Sequence, residues 1–185
     1  MFLRRLSHSL VEFSKTSITL TALVIFLIFS AVALPRQSAA AAVYSGSSGP
    51  PDLSLFYSPN DIYQMAEQYG SAGRDVYVRA RFSFDLVFPI IYTLFLATAI
   101  SLIFGTITPE ASPWRMLNLA PIMGILFDFL ENITASIVIS RYPALSPNSA
   151  NFAPVFTFLK WVFVSGSFLI LFIGGLANLF ARKRN

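Results

Sequence analysis

The chain has 185 residues, 55% of them hydrophobic and only 12% charged, with no cysteine and a mean hydropathy of +0.65. A soluble domain carries about 25% charged residues, so this composition indicates one lipid-embedded domain; the lack of thiols excludes disulfides, thiol redox chemistry and thiolate metal sites. The net charge of +4 is carried largely by basic residues near the two ends, a pattern of membrane orientation and not of nucleic-acid binding.

In chain order, residues 1–16 read as a basic N-terminus and 17–34 as a first transmembrane helix, "SITLTALVIFLIFSAVAL". A bilayer takes about 20 apolar residues to cross, and in lipid each such run must be helical. A basic start, an apolar run and then "RQSAAAAVYSG" also resemble a cleavable signal peptide. The run exceeds the roughly 7–15 residues of a signal-peptide core, which favours retention. Residues 35–83 form an outer segment. Its start, Ser38–Pro51, is Ala-, Ser-, Gly- and Pro-rich and predicts a flexible tether.

Next, "YSPNDIYQMAEQYG" predicts a short amphipathic helix near 59–69. Ser58 caps it, Pro59 takes its first position, Asp61 favours the positive end and Gly70 closes it. Ile62, Met65, Ala66 and Tyr69 form one stripe, suited to interfacial anchoring or to a lid over the bundle mouth. Arg74, Arg79 and Arg81 precede the second span and read chiefly as headgroup anchors, with Arg81 or Arg141 an alternative counter-charge for buried carboxylates. Three further spans follow at 84–104, 116–140 and 154–180, joined by loops at 105–115 and 141–153 and ended by a basic tail at 181–185. Ser112-Pro113 and Pro154 mark helix starts. The fold class is therefore an all-α membrane protein, a four-helix bundle with a short amphipathic extracytoplasmic helix.

Orientation follows the basic residues. One side holds Arg4, Arg5, Lys15, Arg115, Arg182, Lys183 and Arg184; the other holds Arg36, Arg74, Arg79, Arg81 and Arg141. The balance places both termini in the cytoplasm and the chain in the cell membrane.

"FDFLENITASIVI" puts charge in the middle of the third span, where each ionised group costs about 3 kcal/mol on insertion scales. Asp128, Glu131 and Asn132 share one helix face with the small residues Ala120, Gly124 and Ala135, so that face points into the bundle. Lys160, roughly 9 Å below the start of the fourth span, reaches the depth of Glu131. Asp85, at the outer end of the second span, and Tyr92, roughly 12 Å down, complete a candidate ligand pocket with Asp128, Glu131, Asn132 and Lys160. Pro89 removes the hydrogen bond to the Asp85 carbonyl.

The surplus of carboxylates over lysine points to an amphiphile or lipid bound in this pocket, with acid–base chemistry by Glu131 or Asp128 as an extension. The alternatives are a structural subunit whose cluster only fixes packing, and proton or cation movement through an oligomer. No metal or other cofactor is expected, since His8, the single histidine, lies in the N-terminal segment. Expected partners are the bilayer, an amphiphilic small molecule, and a second copy or membrane partner, with no nucleic acid. No catalytic residue is assigned.

"YSPNDIYQMAEQYG", "GRDVYVRARFSFDLVFPIIY", "LFDFLEN" and "LKWVF" together resemble a group of uncharacterised bacterial multi-pass membrane proteins with about four helices. The resemblance runs from Tyr57 onward; it implies that architecture and no established activity. The gross placement of acidic residues in four helices is also similar to the sterol-isomerase-like EXPERA proteins, as analogy only.

Overall fold

A computed structural model describes residues 2–46 and 49–183. Ser47 and Ser48 of the expected tether, and Arg184 and Asn185 of the basic tail, lie outside the described residues. Seven α-helices occur among the described residues, with no strand: α1 (Phe2–Phe13), α2 (Thr16–Ser45), α3 (Pro59–Gln68), α4 (Gly70–Arg81), α5 (Phe84–Ile107), α6 (Ala120–Arg141) and α7 (Pro147–Lys183). Short 3-10 helices occupy Pro51–Leu53 and Pro113–Leu119. Among the described residues, four stretches are long and apolar enough to cross a bilayer: Thr16–Ser45, Gly70–Ile107, Pro113–Arg141 and Pro147–Ala181.

Local chemistry sets the boundaries. Before α3, the Ser58 N–H donates to Asp61 Oδ2 at 2.7 Å and the Asp61 N–H donates to Ser58 Oγ at 3.3 Å, a complete capping box. Those bonds also hold the Asp61 carboxyl below its ordinary pKa. Gly70, at φ +63°, turns the chain from α3 into α4, a conformation that costs glycine little. Arg74 Nη1 then donates to the Ala66 carbonyl at 3.0 Å, satisfying an acceptor at the C-terminal end of α3. The lead-in "GRDVYVRAR" is thus helical, where the sequence reading assigned only basic anchors.

Two boundaries differ from expectation. α2 continues to Ser45, so residues 38–45 are helix and not tether. Ala39 to Ala42 are strong helix formers, and Tyr44 is fastened edge-on against Tyr69 and Tyr77, at 5.3 and 6.2 Å between centroids. α7 begins at Pro147, leaving Pro154 inside the helix. Pro147 takes the tolerated first position, and the Ala150 N–H bonds the Ser146 carbonyl at 2.9 Å.

The chain divides into two compact units. The first contains residues up to 27, 90–125 and from 162 on. There α1 packs on the 3-10 helix Pro113–Leu119, and Asn118, fully buried, donates to the Ser7 carbonyl and to Ser101 Oγ at 3.0 and 2.9 Å. Phe26 stacks on Phe95 at 5.2 Å. Close approach here depends on Gly174, where an added Cβ would stand 2.8 Å from Phe104 Cε2 and 3.0 Å from Ile103 Cγ2. Gly174→Leu is therefore expected to cost about 1–3 kcal/mol by overpacking. Gly175→Leu, whose Cβ meets nothing within 4 Å, should be near neutral. Melting temperatures of the two variants in the same detergent check the difference.

The second unit contains residues 28–89 and 126–161. Its apolar core joins Ile62, Met65, Ala66 and Tyr69 of α3 to Tyr77 of α4, Ala135, Val138 and Ile139 of α6, and Ala150 and Ala153 of α7. The α3 stripe is thus occupied by protein and not free for lipid. Tyr63 adds a polar tie, accepting the Ser146 N–H at 2.7 Å.

Candidate functional site

The second unit gathers most of its buried charge in one cluster. Arg81, at the end of α4 and only 4% exposed, places Nη1 3.0 Å from Asp52 Oδ2 and Nε 3.1 Å from Asp85 Oδ2. Its guanidinium also lies 4.8 Å from the Tyr77 ring centre, a cation–π contact. Asp52 is carried in by the 3-10 helix Pro51–Leu53, and its carbonyl accepts Trp161 Nε1 at 2.9 Å. One residue earlier on α7, Lys160 Nζ stands 2.5 Å from Glu131 Oε2, with both side chains buried.

Asn132 has a role that follows from covalent structure. Proline has no N–H, so Pro89 leaves the Asp85 carbonyl without its helical donor. Asn132 Nδ2 supplies one at 3.2 Å and also donates to Asp128 Oδ1 at 3.1 Å. Buried carbonyls need such partners. The proline and the asparagine, far apart in sequence, thus complement each other.

Of the residues expected to form a pocket, Asp85, Asp128, Glu131, Asn132 and Lys160 all belong to this unit. Tyr92, grouped with them by helix face and depth, is buried and falls within the first unit. One residue escaped the sequence reading: Asp52, just past the expected tether. Arg81, expected chiefly as a headgroup anchor and alternatively as a counter-charge, is buried between two carboxylates. The i, i+4 spacing of Arg81 and Asp85 was the available signal. Arg141 remains exposed.

Four carboxylates (Asp52, Asp85, Asp128 and Glu131) face two cations (Arg81 and Lys160). Glu131 Oε1 and Asp52 Oδ1 are buried without a hydrogen-bond partner among the described residues. Burial works to raise the Asp52 carboxyl, but the charges of Arg81 and then Lys160 outweigh it and hold it below its ordinary value.

An apolar groove of about 520 Å³ adjoins the cluster, between residues 55–58 and the α7 face of Pro154, Val155 and Phe158. Phe56, 80% exposed, meets Phe158 at 5.9 Å between rings. Tyr57 spans both regions. Its ring lines the groove, and its hydroxyl lies 3.0 Å from Thr157 Oγ1, one turn before Lys160. Thr157 already donates its proton to the Ala153 carbonyl at 3.0 Å, so Tyr57 is the donor of the pair. Burial raises the Tyr57 hydroxyl above its ordinary pKa, and the charges of Glu131 and Asp52 add to that. This hydroxyl stays a protonated donor. Among the described residues no group of three or more His, Asp or Glu is placed to hold a metal ion. No family model, curated protein or solved structure matches the chain.

Proposed function

We propose that the chain is a multi-pass protein of the cell membrane, with both termini cytoplasmic and α3 on the outer side. Its second unit binds an amphiphile bearing a cationic head. The observation that carries this reading is the buried, unpartnered Glu131 Oε1 within a cluster of four carboxylates and two cations. Unpaired buried charge is costly, and an ammonium that donates to Glu131 offsets both the missing hydrogen bond and the charge surplus. The adjoining groove suits the alkyl part of the same molecule, with Tyr57 at the junction.

The test uses purified protein in nanodiscs of neutral lipid, titrated with dodecylamine, with dodecanol as the uncharged comparison. Trp161 reports, since its ring centre lies 5.4 Å from Lys160 Nζ; Trp114 is replaced by Phe to remove the second indole. Saturable change with the amine and not the alcohol is expected. The response should vanish in the isosteric pair Glu131→Gln with Lys160→Met, provided that variant melts normally. Equal responses to amine and alcohol, or an unchanged amine response in the folded double variant, would overturn the reading. Mass spectrometry of small molecules retained on purification gives the ligand's own mass.

A second reading has its own support. Both cations are already paired, and Asp52 and Trp161 tie the 3-10 helix to α7. On that account the cluster is a clasp that fixes the outer segment to the spans, and it is the outcome left standing if no amphiphile binds.

A further inference from the structure

We propose that the first unit carries a separate binding site for a phosphate group, in the cavity between α1 and the segment that follows α5. The inference rests on the membrane reading only for the source of that phosphate. The cavity holds about 390 Å³ and is lined by Arg4, Ser7 and His8 of α1 together with Glu110, Ser112 and Arg115.

Its donors are available. Arg4 has no ion pair or hydrogen bond among the described residues and faces the cavity from the exposed side of α1. Arg115 is held in place by Nη2, which donates to the Gly105 and Thr108 carbonyls at 3.1 and 3.0 Å. Its Nε is buried with no hydrogen-bond partner. Ser112 Oγ accepts the Trp114 N–H at 3.3 Å, which leaves its own proton free to donate. The single carboxylate in the wall, Glu110, is engaged by His8 Nε2 at 3.1 Å, and His8 Nδ1 lies 3.4 Å from Glu12. Two guanidinium groups and a hydroxyl around one cavity are the chemistry of phosphate recognition, since arginine presents paired donors to phosphate oxygens.

α1 indicates where that phosphate comes from. Ser7 faces inward, as does Ser14 just after the helix; Arg4, His8 and Glu12 form a polar edge, and Phe2, Leu3 and Phe13 are exposed by 74%, 54% and 51%. An apolar face beside a polar edge that carries Arg4, two residues before the span that begins at Thr16, is the form of a helix lying in the headgroup layer. The headgroup of an anionic lipid is therefore the ligand source the geometry favours.

The experiment uses the full chain in phosphatidylcholine nanodiscs with a cysteine introduced at Ala111 in the cavity wall, labelled with an environment-sensitive dye. Short-chain phosphatidic acid and inorganic phosphate are titrated separately. Arg4→Gln should weaken phosphatidic acid binding about tenfold or more, as loss of a charge-assisted donor pair does. Lys15→Gln removes the same charge from outside the cavity and should change binding less than about threefold, the expectation for distant surface charge. Competition by inorganic phosphate with the same Arg4 dependence assigns the site to the phosphate alone; binding of phosphatidic acid without competition assigns it to the lipid. No saturable response to either, or equal losses in the two variants, would overturn the site. Failure of the chain to enter nanodiscs would count against the membrane reading instead. Arg115→Lys, which keeps the charge and loses the fork, gives an independent check if its melting temperature is unchanged.

Discussion

Lys160→Met is expected to destabilise the protein by about 3–5 kcal/mol, because it leaves a buried carboxylate without its counter-charge. Glu131 is 1% exposed, so water cannot take over from the lost ammonium. Its Oε1 has no hydrogen bond to fall back on among the described residues. Adding Glu131→Gln removes the stranded charge, and the double variant should regain most of the loss. Equilibrium unfolding of wild type, both single variants and the double variant in mixed micelles yields the coupling directly. A Lys160→Met variant as stable as wild type would mean that Glu131 does not depend on Lys160, and the ion pair would lose its energetic role. The same variant sharpens the functional reading. If the cluster accepts an amine, dodecylamine should stabilise Lys160→Met more than wild type, since the ligand then supplies the missing cation.

Much of this arrangement was legible in the sequence because the rules involved are local. Run length and apolarity gave four bilayer-length helices, and the Ser58–Asp61 spacing gave the start of α3 to the residue. The i, i+3, i+4 relation put Asp128, Glu131 and Asn132 on one face, and small neighbours turned that face inward. What escaped depends on contacts between distant segments. Asp52 carries no signal in an Ala-, Ser- and Pro-rich stretch; its position is set by Arg81 and by Trp161 Nε1. Residues 38–45 read as linker from composition, whereas helix propensity and a tyrosine anchor decided the matter. Pro89 is the instructive intermediate case. The sequence disclosed the orphaned carbonyl at Asp85, and the tertiary structure supplied the donor, Asn132.

Arg81→Met should be equally severe at neutral pH, by the same 3–5 kcal/mol order, and its deficit should shrink on acidification. In the wild type the Asp52 carboxyl is held below its ordinary value although burial pushes it up, because Arg81 and Lys160 outweigh burial. A depressed native value contributes stability above the unfolded value of about 4, and that contribution fades as pH falls through the native one. Without Arg81 the balance reverses. Burial remains, only the weaker pull of Lys160 opposes it, and the native Asp52 value rises above the unfolded one. Its ionised form then costs stability at neutral pH, a cost relieved as the carboxyl takes up a proton. Stability differences between wild type and Arg81→Met are thus expected to be greatest near pH 7 and to narrow towards about pH 4. Arg81→Lys should fall between the two, since one ammonium cannot meet Asp52 and Asp85 with the reach of a guanidinium fork. Unfolding curves at several pH values in the same micelles decide the matter. A deficit that stays constant with pH would show that Arg81 acts by packing on Tyr77, 4.8 Å from its ring centre, and not by holding the two carboxylates.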